Sequence, residues 1–388
     1  MKKIRALGLV FAVLLILCFC SCSFGQSVYF LFFGSNNSIT SLDGQVLEEP
    51  DFVDYPVSRI LYSGLSSLQQ QAYRLIYNSV FSHKSKIQIP KISQSELTEV
   101  MIAIRGDNPH LLCLDRTYTY YEAPKSCFVL PDYTRNAEEC AALTSLLMEK
   151  ARELISSIPE SADEFIKELY LHNSICAECT YADGAFSDNA YGALIDGKAL
   201  CEGYTMGFKL LLDMAGFTSS VVRGNAENIN GEKDAHIWNI VKLGAGWYYT
   251  DVTWDDPITN SELSNLRHSY FNISEKELSL SHSDYVLPDN ITVSGGKYDY
   301  FIHTGLYLSE DNLQEKLNEK IGEAALQNGA HLELKFESSH LFDETVKDLF
   351  SNGGLQKIVC SFVSADSFLC SYSTDKDVNV LHIYLSFQ

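Results

Sequence analysis

The stretch that most limits what this chain can fold into is GKALCEGYTMGFKLLLDMAG, residues 197–216, where a small-residue loop runs into one amphipathic helix. Tyr204, Phe208, Leu211, Leu212 and Ala215 recur as a single buried helical face, and Gly216 supplies the stop. A helix so apolar on one side must be packed against a second layer. Its N-terminus carries Cys201. Unpaired backbone N–H groups and the positive end of the macrodipole favour an anion there, and so favour a thiolate over a thiol. A cysteine that only fills a core needs no such position.

A nucleophilic thiolate needs a general base, and the base needs a third group to fix its tautomer. Both types occur downstream. From SADE (161–164), which reads as a capping box opening the helix EFIKELYLHNSI, the pattern to about residue 288 is helix, loop, helix and then strands. The strands are SSVVRGNA, HIWNIVKL and GWYYTDVTW. His236 opens the second and Asp251 lies in the third, across the tight turn LGAG. Their midpoint falls between Leu243 and Gly244, so a symmetric two-residue hairpin sets them directly opposite, imidazole to carboxylate, unless a bulge at the glycines shifts the pairing. Trp238, Trp247 and Trp254 all fall on these two strands, where large rings would exclude water from an ion pair. The plainer alternative is a packed hydrophobic hairpin with a charged residue at each edge.

The blocks GKALCEGYT, DAHIWNIV and GWYYTDVTWDDP, in that order, resemble the bacterial transglutaminase-like family, whose members share a papain-type Cys-His-Asp core. The resemblance covers roughly residues 161–257. It implies an α+β fold in which the helix bearing the cysteine packs on an antiparallel sheet. It also implies Cys201 as nucleophile, His236 as general base and acid, and Asp251 as orienter of the imidazole. No tryptophan precedes Trp238, so the upstream Trp that helps hold the oxyanion in some relatives is missing. The Cys201 main-chain N–H is the expected first oxyanion donor and Tyr191 the second, with Trp238 and Trp254 in the cleft. His172 matches a histidine often seen in this family's helix and is expected to be packed rather than catalytic. Asp234, Asp255 and Asp256 are alternative orienters or surface charges, while His268, His282, His303 and His382 show no partner spacing.

The resemblance implies acyl transfer at protein or cell-wall peptide amides through a thioester, with hydrolysis favoured over cross-linking to an amine. The alternative is a catalytically inert module that binds envelope peptide. No oxygen-ligand cluster has calcium-loop spacing, so no metal and no cofactor are expected.

The ends of the chain bear on where this happens. Lys2, Lys3 and Arg5 precede an apolar run from Ala6 to Phe19, which reads as an export signal over residues 1–21. CFCSCSFG resembles a lipoprotein lipobox, with Phe19 where Leu is usual, and points to lipidation at Cys22, with plain cleavage or a retained anchor helix as the alternatives. The chain has 50 acidic and 29 basic residues, and without the three basic residues of 1–21 its formal charge is −24. Such a surface repels nucleic acid and anionic lipid, leaving a lipid anchor as the only expected membrane contact.

Four domains are expected: the signal (1–21), a mainly helical region (22–158), the catalytic domain (159–290) and a small C-terminal α/β domain (291–388). In the last, HLELKF, QKIVCSFV and NVLHIYLSF read as strands, and a cross-strand Cys360–Cys370 disulfide is one option. Cys176 and Cys179 form a lone CxxC, read as helix-end packing or a local disulfide.

Overall fold

The computed structural model describes residues 55–227, 231–257, 266–288, 291–327, 330–364 and 368–387. The export segment, Cys22 and the apolar run VYFLFF (28–33) lie outside the described residues. The described residues form two compact units. One takes the chain up to residue 149 with 222–237 and 283–289; the other takes 150–221, 238–282 and 290 onward.

In the first unit, helices α1 (Ile60–Ser63), α2 (Ser67–Phe81) and α3 (Gln94–Asp107) accompany a sheet of β1 (Ile87–Pro90), β2 (Leu114–Glu122) and β3 (Ser126–Tyr133), ordered β1-β3-β2. The sequence SQSE at residues 93–96 forms a capping box. The Glu96 backbone N–H donates to Ser93 Oγ, and Glu96 Oε2 accepts from the Ser93 backbone N–H at 2.7 Å. Tyr73, Ile76, Leu97, Val100, Ile104, Ile89 and Val129 build one core. The sheet is an addition to the helical region expected from sequence, because the tyrosine-rich RTYTYYEAP runs into β2 and pairs with β3. Cys113 and Cys140 are joined as a disulfide that ties the segment before β2 to helix α4 (Ala137–Ser156).

In the second unit, α5 (Glu164–Glu178) starts later than the SADE pattern suggests. Asp163 is the N-cap, its carboxylate accepting from the Ile166 N–H at 2.9 Å, and Ser161 lies outside the helix. Aspartate caps as well as serine, and it stands nearer the first apolar residue, Phe165. Strands β4 (Thr180–Tyr181) and β5 (Lys198–Ala199) bracket a π-helical turn, Gly192–Asp196, and lead into α6 (Cys201–Met214). The strands that follow, whose residues 222–237 and 283 belong to the first unit, are β6 (Thr218–Glu227), β7 (Lys233–Leu243), β8 (Gly246–Thr250), β9 (Phe271–Ile273) and β10 (His282–Ser283), in the order β10-β6-β7-β8-β9, with β8 antiparallel to β7 and β9. The fold is α+β, as the sequence implies.

After the short helices α7 (Glu275–Leu278) and α8 (Tyr300–Thr304) comes the C-terminal α/β part. It comprises β11 (Tyr307–Leu308), α9 (Leu313–Ala325), β12 (Ala330–Phe336), α10 (Ser339–Ser351), α11 (Gly354–Phe362), β13 (Phe368–Asp375) and β14 (Val380–Phe387). Its sheet is ordered β11-β12-β14-β13 and shares a core of Leu317, Ile321, Leu334, Phe342, Val359 and Ile383. QKIVCSFV is helix, not strand: Gly353, at φ +76°, opens α11, and Leu355 and Val359, four apart, supply its buried contacts. Cys360 on α11 and Cys370 on β13 are both free and exposed, so they form no cross-strand bridge. Cys176 and Cys179 are free and buried, so they form no local disulfide with each other.

Candidate active site

Cys201 is the first residue of α6, with Leu200 as an extended N-cap (φ −95°, ψ 179°), and it is partly exposed while nearly all of the helix behind it is buried. Deeper in that helix, Lys209 Nζ meets Asp213 Oδ2 at 2.7 Å and Ser219 Oγ donates to Asp213 Oδ1 at 2.8 Å, so the buried charges are paired. The loop that delivers the cysteine presses closely on the helix. A Cβ on Gly203 would lie 2.4 Å from the Ser187 carbonyl oxygen and 2.7 Å from the Ala199 Cβ, so only glycine fits there. Tyr191 stands immediately before the π-helical turn, buried, its N–H donating to Asn189 Oδ1 at 3.0 Å and its ring tilted against Phe186 at 4.8 Å.

His236 sits partly buried on β7, where the strand passes from exposed to buried residues. The β7–β8 register differs from the one expected. Leu243 pairs with Gly246 and Asn239 with Thr250, so the turn is Gly244-Ala245 and the hairpin centre lies one residue later than the His236–Asp251 midpoint between Leu243 and Gly244. Gly244, at φ +56°, takes the first turn position, where a two-residue hairpin of type II′ needs a positive φ. Continuing this ladder sets Trp238, not His236, across from Asp251. The two-residue slip preserves the alternation, so His236 and Trp238 still project to one face of β7. The Asn239 amide donates to the Thr205 carbonyl at 3.1 Å and ties β7 to the cysteine helix.

Asp251 falls just beyond β8 and is 1% exposed. Its Oδ1 accepts from the N–H groups of Thr253 (3.1 Å) and Trp254 (3.2 Å), and its Oδ2 lies 3.1 Å from His282 Nε2. His282 Nδ1 is 2.9 Å from Ser281 Oγ, and the imidazole packs among Trp238 (4.8 Å) and Trp254 (4.6 Å). The carboxylate is thus fixed by two main-chain donors and a second imidazole. His282 shows no partner spacing in the sequence, and no local signal marks this pair, because 31 residues separate the two groups with no periodic relation.

Residues 151–252 match the family model Transglut_core, the transglutaminase-like superfamily. It is this stretch, about a quarter of the chain, that is similar to the transglutaminase-like superfamily. Among solved structures the chain is similar to one described as a TGase, at 14% identity over 46% of this chain and 52% of that one, with a TM-score of 0.27. It is also similar to a candidate cysteine protease from Cytophaga hutchinsonii, at 12% identity over 33% of this chain and 52% of that one, TM-score 0.24. A candidate protease from Parabacteroides distasonis matches at 11% identity over 35% of this chain and 29% of that one, TM-score 0.23. The chain therefore spans about half or less of the length of each neighbour. No curated protein matches.

The remaining acidic candidates around the transglutaminase-like domain divide cleanly. Asp255 is fully buried, accepts from the Tyr270 N–H at 2.9 Å and faces His172 Nε2 at 3.2 Å. Burial outweighs the imidazole and holds its carboxyl above the ordinary value. His172 Nδ1 in turn lies 2.9 Å from Asn173 Oδ1, which gives this histidine the packed role expected of it. Asp256 receives the Tyr204 hydroxyl, and Asp234 is exposed on β7. Asp255 and Asp256 are therefore not surface charges. His268 and His382, which show no partner spacing in the sequence, have partners in the fold: His268 Nδ1 meets Glu333 Oε2 at 2.6 Å and His382 Nε2 meets Asp375 Oδ2 at 2.7 Å. His303 stacks on Phe165 at 3.8 Å.

Glu168 on α5 is a buried acid of a different kind. Its Oε2 accepts from Asn272 Nδ2 at 2.7 Å, Oε1 has no partner among the described residues, and burial pushes its carboxyl up to about 8 from 4.5. Between those two values the folded chain keeps a proton that the unfolded chain has released, so this group makes stability fall as pH rises through the window. The slope it contributes reaches at most ~1.4 kcal/mol per pH unit. Glu168→Gln removes the titration and keeps the amide contact. Urea midpoints of the variant should decline less than the parent's between pH 5 and 8, and equal slopes would mean that Glu168 is ionised in the fold.

Proposed function

We propose that the transglutaminase-like domain is a thiol acyl-transfer enzyme. Cys201 Sγ attacks an amide carbonyl while His236 takes its proton. The tetrahedral oxyanion collapses to a thioester, and His236 returns the proton to the departing amine. Asp251 orients His236, the Cys201 N–H on the first turn of α6 is one oxyanion donor, and the Tyr191 phenol is the second. Trp238 and Trp254 wall the cleft. The observation that carries this reading is that Cys201, His236 and Asp251 all lie within the matched stretch, residues 151–252. The partly exposed thiol and the main-chain grip on the Asp251 carboxylate support it.

Water is the preferred acyl acceptor in this proposal, because a partly exposed thiol leaves its thioester open to solvent. The substrates are proteins or cell-wall peptides outside the cytoplasm. Two features support that location: the export-like residues 1–21 and the Cys113–Cys140 disulfide, which suits an oxidising compartment. Among the described residues no helix is long and apolar enough to cross a membrane.

The test is acyl-enzyme trapping. The protein is mixed with a peptide bearing a C-terminal activated ester and quenched, and the adduct is located by mass spectrometry. A hydroxylamine-labile adduct on Cys201 that forms far more slowly in His236→Ala is the expected result. Undiminished peptide binding with no adduct and no turnover on any amide would instead identify an inert binding module.

A further inference from the structure

We propose a binding site for a divalent, zinc-class metal ion on the C-terminal sheet, held by His331, Glu333 and His382. His331 and Glu333 alternate on β12, and His382 pairs directly across from Glu333 on β14, so the three side chains share one face of the sheet. One ligand atom from each lies within 4.8 Å of the other two. Glu333 and His382 are buried and His331 is partly exposed.

The hydrogen bonds around the cluster fix which atoms face its centre. His382 Nε2 lies 2.7 Å from Asp375 Oδ2 and 3.2 Å from Ser269 Oγ, so in the tautomer that donates Nε2–H to the carboxylate it is Nδ1 that offers its lone pair to the centre. Glu333 Oε2 is 2.6 Å from His268 Nδ1, and Oε1 accepts from the His268 main-chain N–H at 3.0 Å while keeping its other lone pair for the centre. His382 Nδ1 then faces Glu333 Oε1 and His331 Nε2, each at 3.4 Å. Hydrogen bonds of these groups run to about 2.7–3.2 Å, so both separations are long for one. They match the edge of a tetrahedron with metal–ligand bonds of about 2.0–2.1 Å, which is about 3.3–3.4 Å.

Lone pairs converging on one point at that spacing call for a cation between them. Arg267 does not supply it, since its guanidinium is at Asp375 Oδ1, 2.7 Å away. Two imidazole nitrogens and one carboxylate oxygen form a set that suits zinc and its neighbours rather than magnesium or calcium. Asp375 and His268 behind the ligands supply the outer hydrogen bonds that orient metal-binding histidine and carboxylate groups. The expectation of no metal from sequence concerned oxygen ligands within one loop, and this set comes instead from two strands some fifty residues apart.

The full chain, dialysed against micromolar zinc and then against metal-free buffer, should retain about one zinc per molecule by elemental analysis. Cobalt in its place should give the intense visible bands of a tetrahedral site. His331→Phe keeps the ring stacked on Tyr384, now 4.4 Å away, and should lose both signals with the fold intact by circular dichroism. Glu333→Gln should weaken zinc retention in the same direction. A folded parent that retains no ion overturns the proposal. So does an ion held equally by His331→Phe, or one lost instead with His282→Ala or with Cys176→Ser, which would place it at the Asp251–His282 pair or at the thiols.

Discussion

Cys201→Ala is expected to bring amide turnover down to the level of the uncatalysed reaction, a loss on the order of 10³-fold or more. The thiol is the only atom in the proposed scheme that makes a covalent bond, so no neighbour can substitute for it. Asp251→Asn should be slower than the parent by roughly 10²–10⁴-fold in kcat with little change in KM. The amide oxygen of the variant still accepts from the Thr253 and Trp254 N–H groups, so the turn survives. Its NH₂, in the place of Oδ2, donates where imidazole nitrogens need an acceptor, and the base loses its tautomer. Steady-state hydrolysis of a peptide amide, with the variants' circular dichroism as a control, measures both. Turnover that persists undiminished in Cys201→Ala would assign the chemistry to another site.

Removing the Lys335 ammonium should cost about 3–5 kcal/mol of stability, the largest loss expected from a single change in the C-terminal part. Lys335 is buried on β12, with Nζ 2.8 Å from Asp299 Oδ2 and 2.5 Å from Glu277 Oε1, over the Phe301 ring. Each carboxylate also caps a short helix. Glu277 accepts from the Ser274 N–H at 2.9 Å, and Asp299 Oδ1 accepts from the Phe301 and Ile302 N–H groups at 2.9 and 3.1 Å. Lys335→Met leaves the buried Asp299 carboxylate and the partly buried Glu277 carboxylate without their cation.

The pH response follows from the sign of the shifts. Lys335 and the caps hold the Glu277 carboxyl below its ordinary value, whereas burial already holds Asp299 above its own. Without the lysine both native carboxyls move up, so the folded variant binds more protons than the unfolded chain. Its deficit against the parent should shrink as pH falls from 7 toward 4. Urea unfolding of the variant at several pH values measures this, and the combined change Lys335→Met, Asp299→Asn, Glu277→Gln should recover part of the loss. A deficit independent of pH would mean that packing, not charge, sets the cost.

The parts legible from sequence were those with local causes. The cysteine helix was set by its apolar spacing and by the glycines at 197 and 216, and the 93–96 capping box by residues three apart. The hairpin was legible as a hairpin, but its register was not, since two glycines flank Ala245 and either end of LGAG could host the turn. Helix α11 was misread because Ile358 and Val359 favour a strand when taken alone, and only packing of Leu355 and Val359 into a shared core decides for a helix. The imidazole on Asp251 and the ties from His268 to Glu333 and from Ser269 to Asp375 bridge 31 to 106 residues. Such pairs are created by the fold and leave no periodic trace in the chain.

One of those ties bears on how the molecule can be dissected. From Asn173 on α5, polar groups run through the buried His268 to Glu333 on β12, and on to His382 and Asp375. A truncation after the transglutaminase-like match would delete residues 267–269 and take His268 from Asn173 and His282 from Asp251, and one placed just after residue 269 would leave Arg267, His268 and Ser269 without the acceptors they hold inside the protein. The family boundary at residue 252 is thus a border of sequence similarity and not of foldable material. An excised fragment that keeps the segment carrying these residues must bring β12 through β14 with it, or tolerate buried donors facing nothing.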